Sequence, residues 1–169
     1  QKRVLDSAGG IVCGVAEGVP AGLGEPVFDK LDARFAQAMV SLGAVKGFEM
    51  GDGFAAAAHA GSENNDPFTA IDGKIQKTSN HSGGVLGGIS DGSSLFFRVA
   101  FKPTPSISRP QQTVSADGTP ISLEIHGRHD PCIVPRAVVV VEAMTALVLA
   151  DLLLENAHQT LDRLKKAYS

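Results

Sequence analysis

"GRHDPCIVPRAVVVVEAM", residues 127–144, sets five chemically capable side chains directly before an apolar run. From Ala137 to Leu154, fifteen of eighteen residues are apolar. A run of that length is enough to cross a bilayer. Glu142 and Asp151 oppose that reading, because each costs about 2.5–3.5 kcal/mol near a bilayer centre. They are nine residues apart, roughly 180° around a helix at ~100° per residue, so no single sheltered face holds both. The pattern predicts a helix buried nearly all round at the centre of a soluble fold. The tail "ENAHQTLDRLKKAYS" is polar and cationic and suits an exposed helix end.

Working outward, 169 residues suggest one domain with a sizeable core. Apolar residues make up 43% and charged residues 20%, an ordinary globular composition. Aromatics are 5% and Trp is absent, so the core must be aliphatic. A net charge of −3 without a basic stripe argues against a nucleic-acid partner. Cys13 and Cys132 make no disulfide framework, which fits a reducing compartment. The opening residues read as the end of another element running into a strand, so the chain is expected to begin inside a longer protein.

"GIVCGVA", residues 10–16, reads as a strand. In residues 30–42, Leu31, Phe35, Met39 and Leu42 recur at helical spacing, and Gly43 stands where a C-cap glycine would. "AVKGFEMG" reads as the next strand, giving a strand–helix–strand unit. "GFAAAAH" reads as a short helix. Residues from about 60 to 82 read as a long flexible loop without period. "GGVLGGIS" and "SSLFFRVAFK" read as two strands joined at Asp91-Gly92. "VSADGTPISLEI" reads as a further, weaker hairpin.

Three stretches carry chemistry. "NHSGGVLGGISDG", residues 80–92, could expose backbone N–H groups to a planar ligand or phosphate, or be only a flexible hairpin. It has neither a Walker A nor a dinucleotide-binding spacing. "KPTPSISRP", residues 102–110, could hold an anion through Lys102, Thr104 and Ser106, or be an edge strand ended by prolines. In the third stretch His126, His129 and Cys132 are three apart, but Pro131 interrupts and no fourth ligand is near, so no metal site is expected. Arg128 with Asp130 forms either an ion pair or a cation beside a proton-transferring carboxylate. Pro135 suits the first turn of the long helix, whose N-terminus favours anions. No hydrolase triad is visible, and Cys132 reads as a packed thiol.

"GRHDPC", "RAV" and "EAM" together resemble the C-terminal signature of chorismate synthases. "GVPAGLGEPVFDKLDA", "AVKGFEMGDGF", "NHSGGVLGGISDG" and "KPTPSI" also resemble segments of that family, in its order. The resemblance runs from Val15 to about Leu154. It implies an α+β fold, a β-α-β sandwich, of which residues 1–169 would be the C-terminal part with the long helix at its centre. It implies a lyase performing the trans-1,4-elimination of phosphate from 5-enolpyruvylshikimate 3-phosphate to give chorismate with reduced FMN. NADPH would enter only where a flavin reductase activity is present. It further implies a cytoplasmic homotetramer with no membrane or nucleic-acid partner.

By position, the resemblance makes Asp130 the proton-transferring acid and sets Arg128 against flavin and substrate. It assigns Lys102, Pro103, Thr104, Pro105 and Ser106 to FMN, with Gly87 and the pair Gly43-Ala44 also at the flavin. The family often carries Asn where Gly43 stands, and a proline within the region of Val138–Val141. Nothing here resembles the family's N-terminal Ser-His-Gly segment, its second His segment or most of its substrate-holding arginines. The chain is therefore expected not to turn over alone. The contrasting reading is a non-catalytic structural or oligomerisation domain with weak anion binding.

Overall fold

The computed structural model describes residues 5–127, 129–159 and 161–167. Its centre is a three-stranded sheet in the order β1-β7-β2, formed by β1 (Gly10–Ala16), β2 (Val45–Met50) and β7 (Leu95–Phe101). β7 runs antiparallel to both neighbours, from Gly10 opposite Phe101 to Ala16 opposite Leu95 on one side. Along β7 the side chains alternate. Leu95, Phe97, Val99 and Phe101 are buried, and Phe96, Arg98 and Ala100 are half-buried on the other face. This period of two covers one face of the sheet.

The covering helix is α1 (Leu31–Val40). Leu31, Phe35 and Met39 form one fully buried stripe at i, i+4, i+8. Phe35 meets Phe97 edge to face at 5.4 Å. The helix starts and stops within two residues of the expected bounds. Gly43 is not its left-handed terminator, because Ala44 takes that conformation with φ 69°. At Gly14 the glycine is a packing requirement, since a Cβ would sit 2.1 Å from the Phe97 ring.

The long helix α3 (Val134–Ala157) begins three residues earlier than its apolar run, with Pro135 in the first turn. It packs on α1 and β1 and adds Ala137, Val141 and Leu152 to the core. Arg34 of α1 bonds both Asp151 and Glu155 of α3. Asn156 donates to the carbonyl of Gly22 at 2.8 Å. The expectation of burial all round is corrected: Val139, Leu147 and Leu154 are each more than 60% exposed. One short helix and three strands can cover only one stripe of a 24-residue helix. α4 (Leu161–Ala167) follows it.

Three hairpins decorate this centre. β5 (Val85–Leu86) and β6 (Ile89–Ser90) turn at Gly87-Gly88, both with positive φ. β6 therefore does not pair with β7 through Asp91-Gly92, as the sequence pattern predicts. β7 is instead occupied on both edges by β1 and β2. The segment read as a featureless loop contains α2 (Gly61–Asn64) and a hairpin of β3 (Phe68–Ile71) and β4 (Lys74–Lys77). That hairpin turns at Asp72-Gly73, both left-handed, the conformation a type I′ turn needs. β8 (Gln111–Val114) and β9 (Pro120–Leu123) form the expected C-terminal hairpin. Gly53–Ala58 is a 3₁₀ helix at the end of β2.

Candidate functional site

The chain leaves β7 at Phe101 and enters the proline-stiffened run from Lys102 to Ser106. The amide of Lys102 donates to the carbonyl of Ala44 at 2.9 Å, which sets Gly43-Ala44 beside the start of that run. The N-terminal segment then joins it to the stretch around Asp130. Ser7 Oγ donates to the Thr104 carbonyl at 2.6 Å. One residue on, the Ala8 amide donates to the Pro131 carbonyl at 2.8 Å, and Ala8 forms a parallel bridge with Cys132. Two runs some 25 residues apart in sequence thus meet across residues 7 and 8.

Between them lies a cleft of about 370 Å³, with Ser7, Ser106, His129 and Asp130 in its wall. Asp130 Oδ2 is 2.8 Å from Arg136 Nη1, a residue in the first turn of α3. Arg128, the partner considered for it, lies outside the described residues. Asp6 holds the cleft's other carboxylate: the Ser7 amide and then Arg109 keep it below the usual carboxylate range. Lys102 is exposed. Thr104 Oγ1 is buried with no hydrogen-bond partner among the described residues. A free ammonium, an orphaned hydroxyl and Ser106 on a stiff backbone suit an anionic oxygen-rich group.

Gly87 is placed elsewhere. The glycine segment binds the beginning of β7, through the Phe96 amide on the Gly83 carbonyl, and the beginning of α1, through the Leu31 amide on the Gly88 carbonyl. Lys102 and Ala44 lie past the far ends of those elements. Seven strand residues span about 23 Å, so Gly87 is not gathered with the Lys102 run within this chain.

The glycine segment is held by a polar hub that the sequence reading missed. Lys77 is 3% exposed and lies 2.7 Å from Asp91 Oδ2 and 3.3 Å from Asp66 Oδ2. It also donates to Asn80 and Ser82. Asp66 accepts from the amides of His81 and Ser82 and from the Ser79 hydroxyl. Burial disfavours its charge, but these donors outweigh burial and hold its carboxyl far below the usual range. No local pattern marks this cluster; a lysine amid polar residues reads as solvated.

His126, His129 and Cys132 are not among the described residues whose ligand atoms converge, and His126 is exposed beside Glu124. The group of ligand atoms that does converge among the described residues is Asp52, His59 and His81. Its members come from segments the sequence reading treats separately.

Comparison with known proteins places these residues in a family. The family model described as chorismate synthase matches residues 1–154. The chain is 62% identical over 165 residues to chorismate synthase of Lachnoclostridium phytofermentans, covering 97% of this chain and 45% of that protein. It is 58% identical to the Lachnospira eligens enzyme, again over 165 residues, with 98% and 45% covered. A crystal structure of chorismate synthase superposes with a TM-score of 0.76 at 36% identity, over 99% of this chain and 44% of that one. The chain thus spans less than half the length of the relatives it matches. Within that span the α+β architecture and the order of the motif-bearing segments agree, and the chain belongs to the chorismate synthase family.

Proposed function

We propose that the chain supplies the C-terminal part of the active site of a reduced-FMN-dependent lyase that eliminates phosphate from 5-enolpyruvylshikimate 3-phosphate to form chorismate. The observation that carries this reading is the single cleft into which Ser106 and Asp130 converge, with the Lys102–Thr104 run tied to it by Ser7.

The residues fit the cofactor's phosphate: Lys102 brings charge, and Thr104 Oγ1 is a buried hydroxyl lacking a partner among the described residues. Lys102, Thr104 and Ser106 would hold that group, with Pro103 and Pro105 limiting the loop's entropy loss. Gly43 and Ala44, beside the start of the Lys102 run, would offer backbone surface to the flavin, and Arg128 a cation to flavin and substrate, whereas Gly87 would reach a flavin only outside the grouping this chain makes by itself. Reduced FMN supplies transient electron density to the carbon–oxygen cleavage when bound. Asp130 serves in proton transfer, with Arg136 engaging Oδ2 and so orienting Oδ1. The start of α3 adds a partial positive charge that favours an anionic ligand.

The exposed apolar stripe of α3 supports the view that this chain does not complete the site alone. In the family context the remainder of the domain would cover it. The assembly proposed is a cytoplasmic homotetramer, with NADPH used only if the enzyme reduces its own flavin. The test is a chimera joining this chain to the N-terminal part of the L. phytofermentans relative, assayed for chorismate with reduced FMN. Turnover by the chimera and none by this chain alone supports the reading; a folded, inactive chimera opposes it.

A further inference from the structure

We propose that Asp52, His59 and His81 form a binding site for a divalent transition metal of the zinc and cobalt class. Two imidazoles and one carboxylate are the donor set such ions take in three-ligand sites with an open position. Their ligand atoms all lie within 4.8 Å of one another. Asp52 Oδ2 is 2.7 Å from His81 Nδ1 and 3.5 Å from His59 Nδ1. With bonds of about 2.0–2.2 Å, a tetrahedral ion sets its ligand atoms roughly 3.3–3.5 Å apart. The pair at 2.7 Å opens by less than an ångström to admit it, a side-chain adjustment.

The backbone under two of the ligands is fixed without any ion. The Asp52 amide donates to the His81 carbonyl at 2.8 Å. The His81 amide donates to Asp66 Oδ1, also at 2.8 Å, inside the buried Lys77 hub. Gly51 has φ 58°, and a Cβ there would lie 2.1 Å from the His81 carbonyl oxygen, so the two backbone segments touch at this point. His59 ends the 3₁₀ helix that starts after Asp52, its amide bonded to Ala56. The two rings meet edge to face with centroids 6.0 Å apart.

All three side chains are about one-third exposed, at 36%, 29% and 32% for His59, Asp52 and His81. An ion can therefore enter from solvent and take water at its remaining position. Arg98 approaches from the sheet, its Nη2 donating to the Asp52 carbonyl at 3.4 Å. Its charge is met by Glu49 at 2.8 Å. Bound metal would tie the glycine segment at His81 to the corner after β2, where Asp52 and His59 stand. This site is separate from the cleft at Asp130.

The test is titration of the untagged chain with Co²⁺, followed by its visible d–d absorption, and with Zn²⁺ in competition. Binding of one equivalent is expected. His59→Ala keeps the Asp52–His81 bond and so the local fold, which circular dichroism checks. It should weaken Co²⁺ binding by more than about tenfold, the loss already typical of disturbing only a ligand's hydrogen-bond partner. The double variant His129→Ala/Cys132→Ala should bind as the parent does. Absence of d–d bands, parental affinity in His59→Ala, or loss of binding in the double variant would overturn the proposal.

Discussion

Replacing Lys77 by Met removes the one cation that, among the described residues, pairs with two buried carboxylates, Asp66 at 2% and Asp91 at 7% side-chain exposure. Met nearly preserves the volume, so the change isolates the charge. Breaking a buried ion pair by removing one partner costs about 3–5 kcal/mol, because the remaining charge is left uncompensated. Here two carboxylates lose their partner, and Asn80 and Ser82 lose a donor as well. The upper part of that range is expected, against a total stability of roughly 5–15 kcal/mol for a domain. With a urea slope of about 2 kcal/mol per M, the midpoint should fall by roughly 2 M. Urea denaturation followed by circular dichroism measures this directly. Adding Asp66→Asn and Asp91→Asn to Lys77→Met should recover more than half of the loss, since no buried charge then remains. A loss below about 1 kcal/mol in the single variant would refute the view that this hub holds the glycine segment.

Other expectations follow from the same structure. The carboxyl of Asp66 titrates far below its unfolded value of about 3.8, so its contribution is present above that pH and is lost as the pH falls below it; Asp66→Asn should flatten the decline in stability below about pH 4. Gly14→Ala places a methyl against the Phe97 ring and should cost about 1–3 kcal/mol or more in thermal or urea unfolding. Phe35→Ala removes the buried ring that meets Phe97 and should cost about 3–5 kcal/mol. In the active chimera, Lys102→Ala should weaken FMN binding by flavin fluorescence and leave unfolding by urea unchanged.

Local pattern carried much of the fold. β1 matches its predicted bounds, and α1 is recognisable because Leu31, Phe35 and Met39 repeat at one spacing on one buried face. Two of the four Asp-Gly pairs show where local pattern stops. Asp72-Gly73 turns a hairpin and Asp91-Gly92 does not, because the strand after Asp91 is claimed by β1 and β2, partners far away in sequence. The same limit applies to the segment from 60 to 82, whose order comes from Asp66 and Lys77 meeting Asp91 rather than from any period. The apolar run in α3 was legible as a helix. Its partial exposure was not, because burial depends on how much of the rest of a fold is present to cover it. At the candidate site, Asp130 and Lys102–Ser106 are expected from motif resemblance. Their convergence rests on the hydrogen bonds of Ser7 and Ala8, which no spacing announces. Asp52, His59 and His81 escaped notice for the same reason.

The central claim is that the cleft at Asp130 is one half of a working lyase site. It is tested most directly by measuring chorismate formation from 5-enolpyruvylshikimate 3-phosphate, with reduced FMN, by the chimera and its Asp130→Asn variant. The account predicts turnover in the chimera and at least a hundredfold lower kcat in the variant, the lower end of what a positioned proton-transfer group contributes, with FMN still bound. A variant as active as its parent would contradict it.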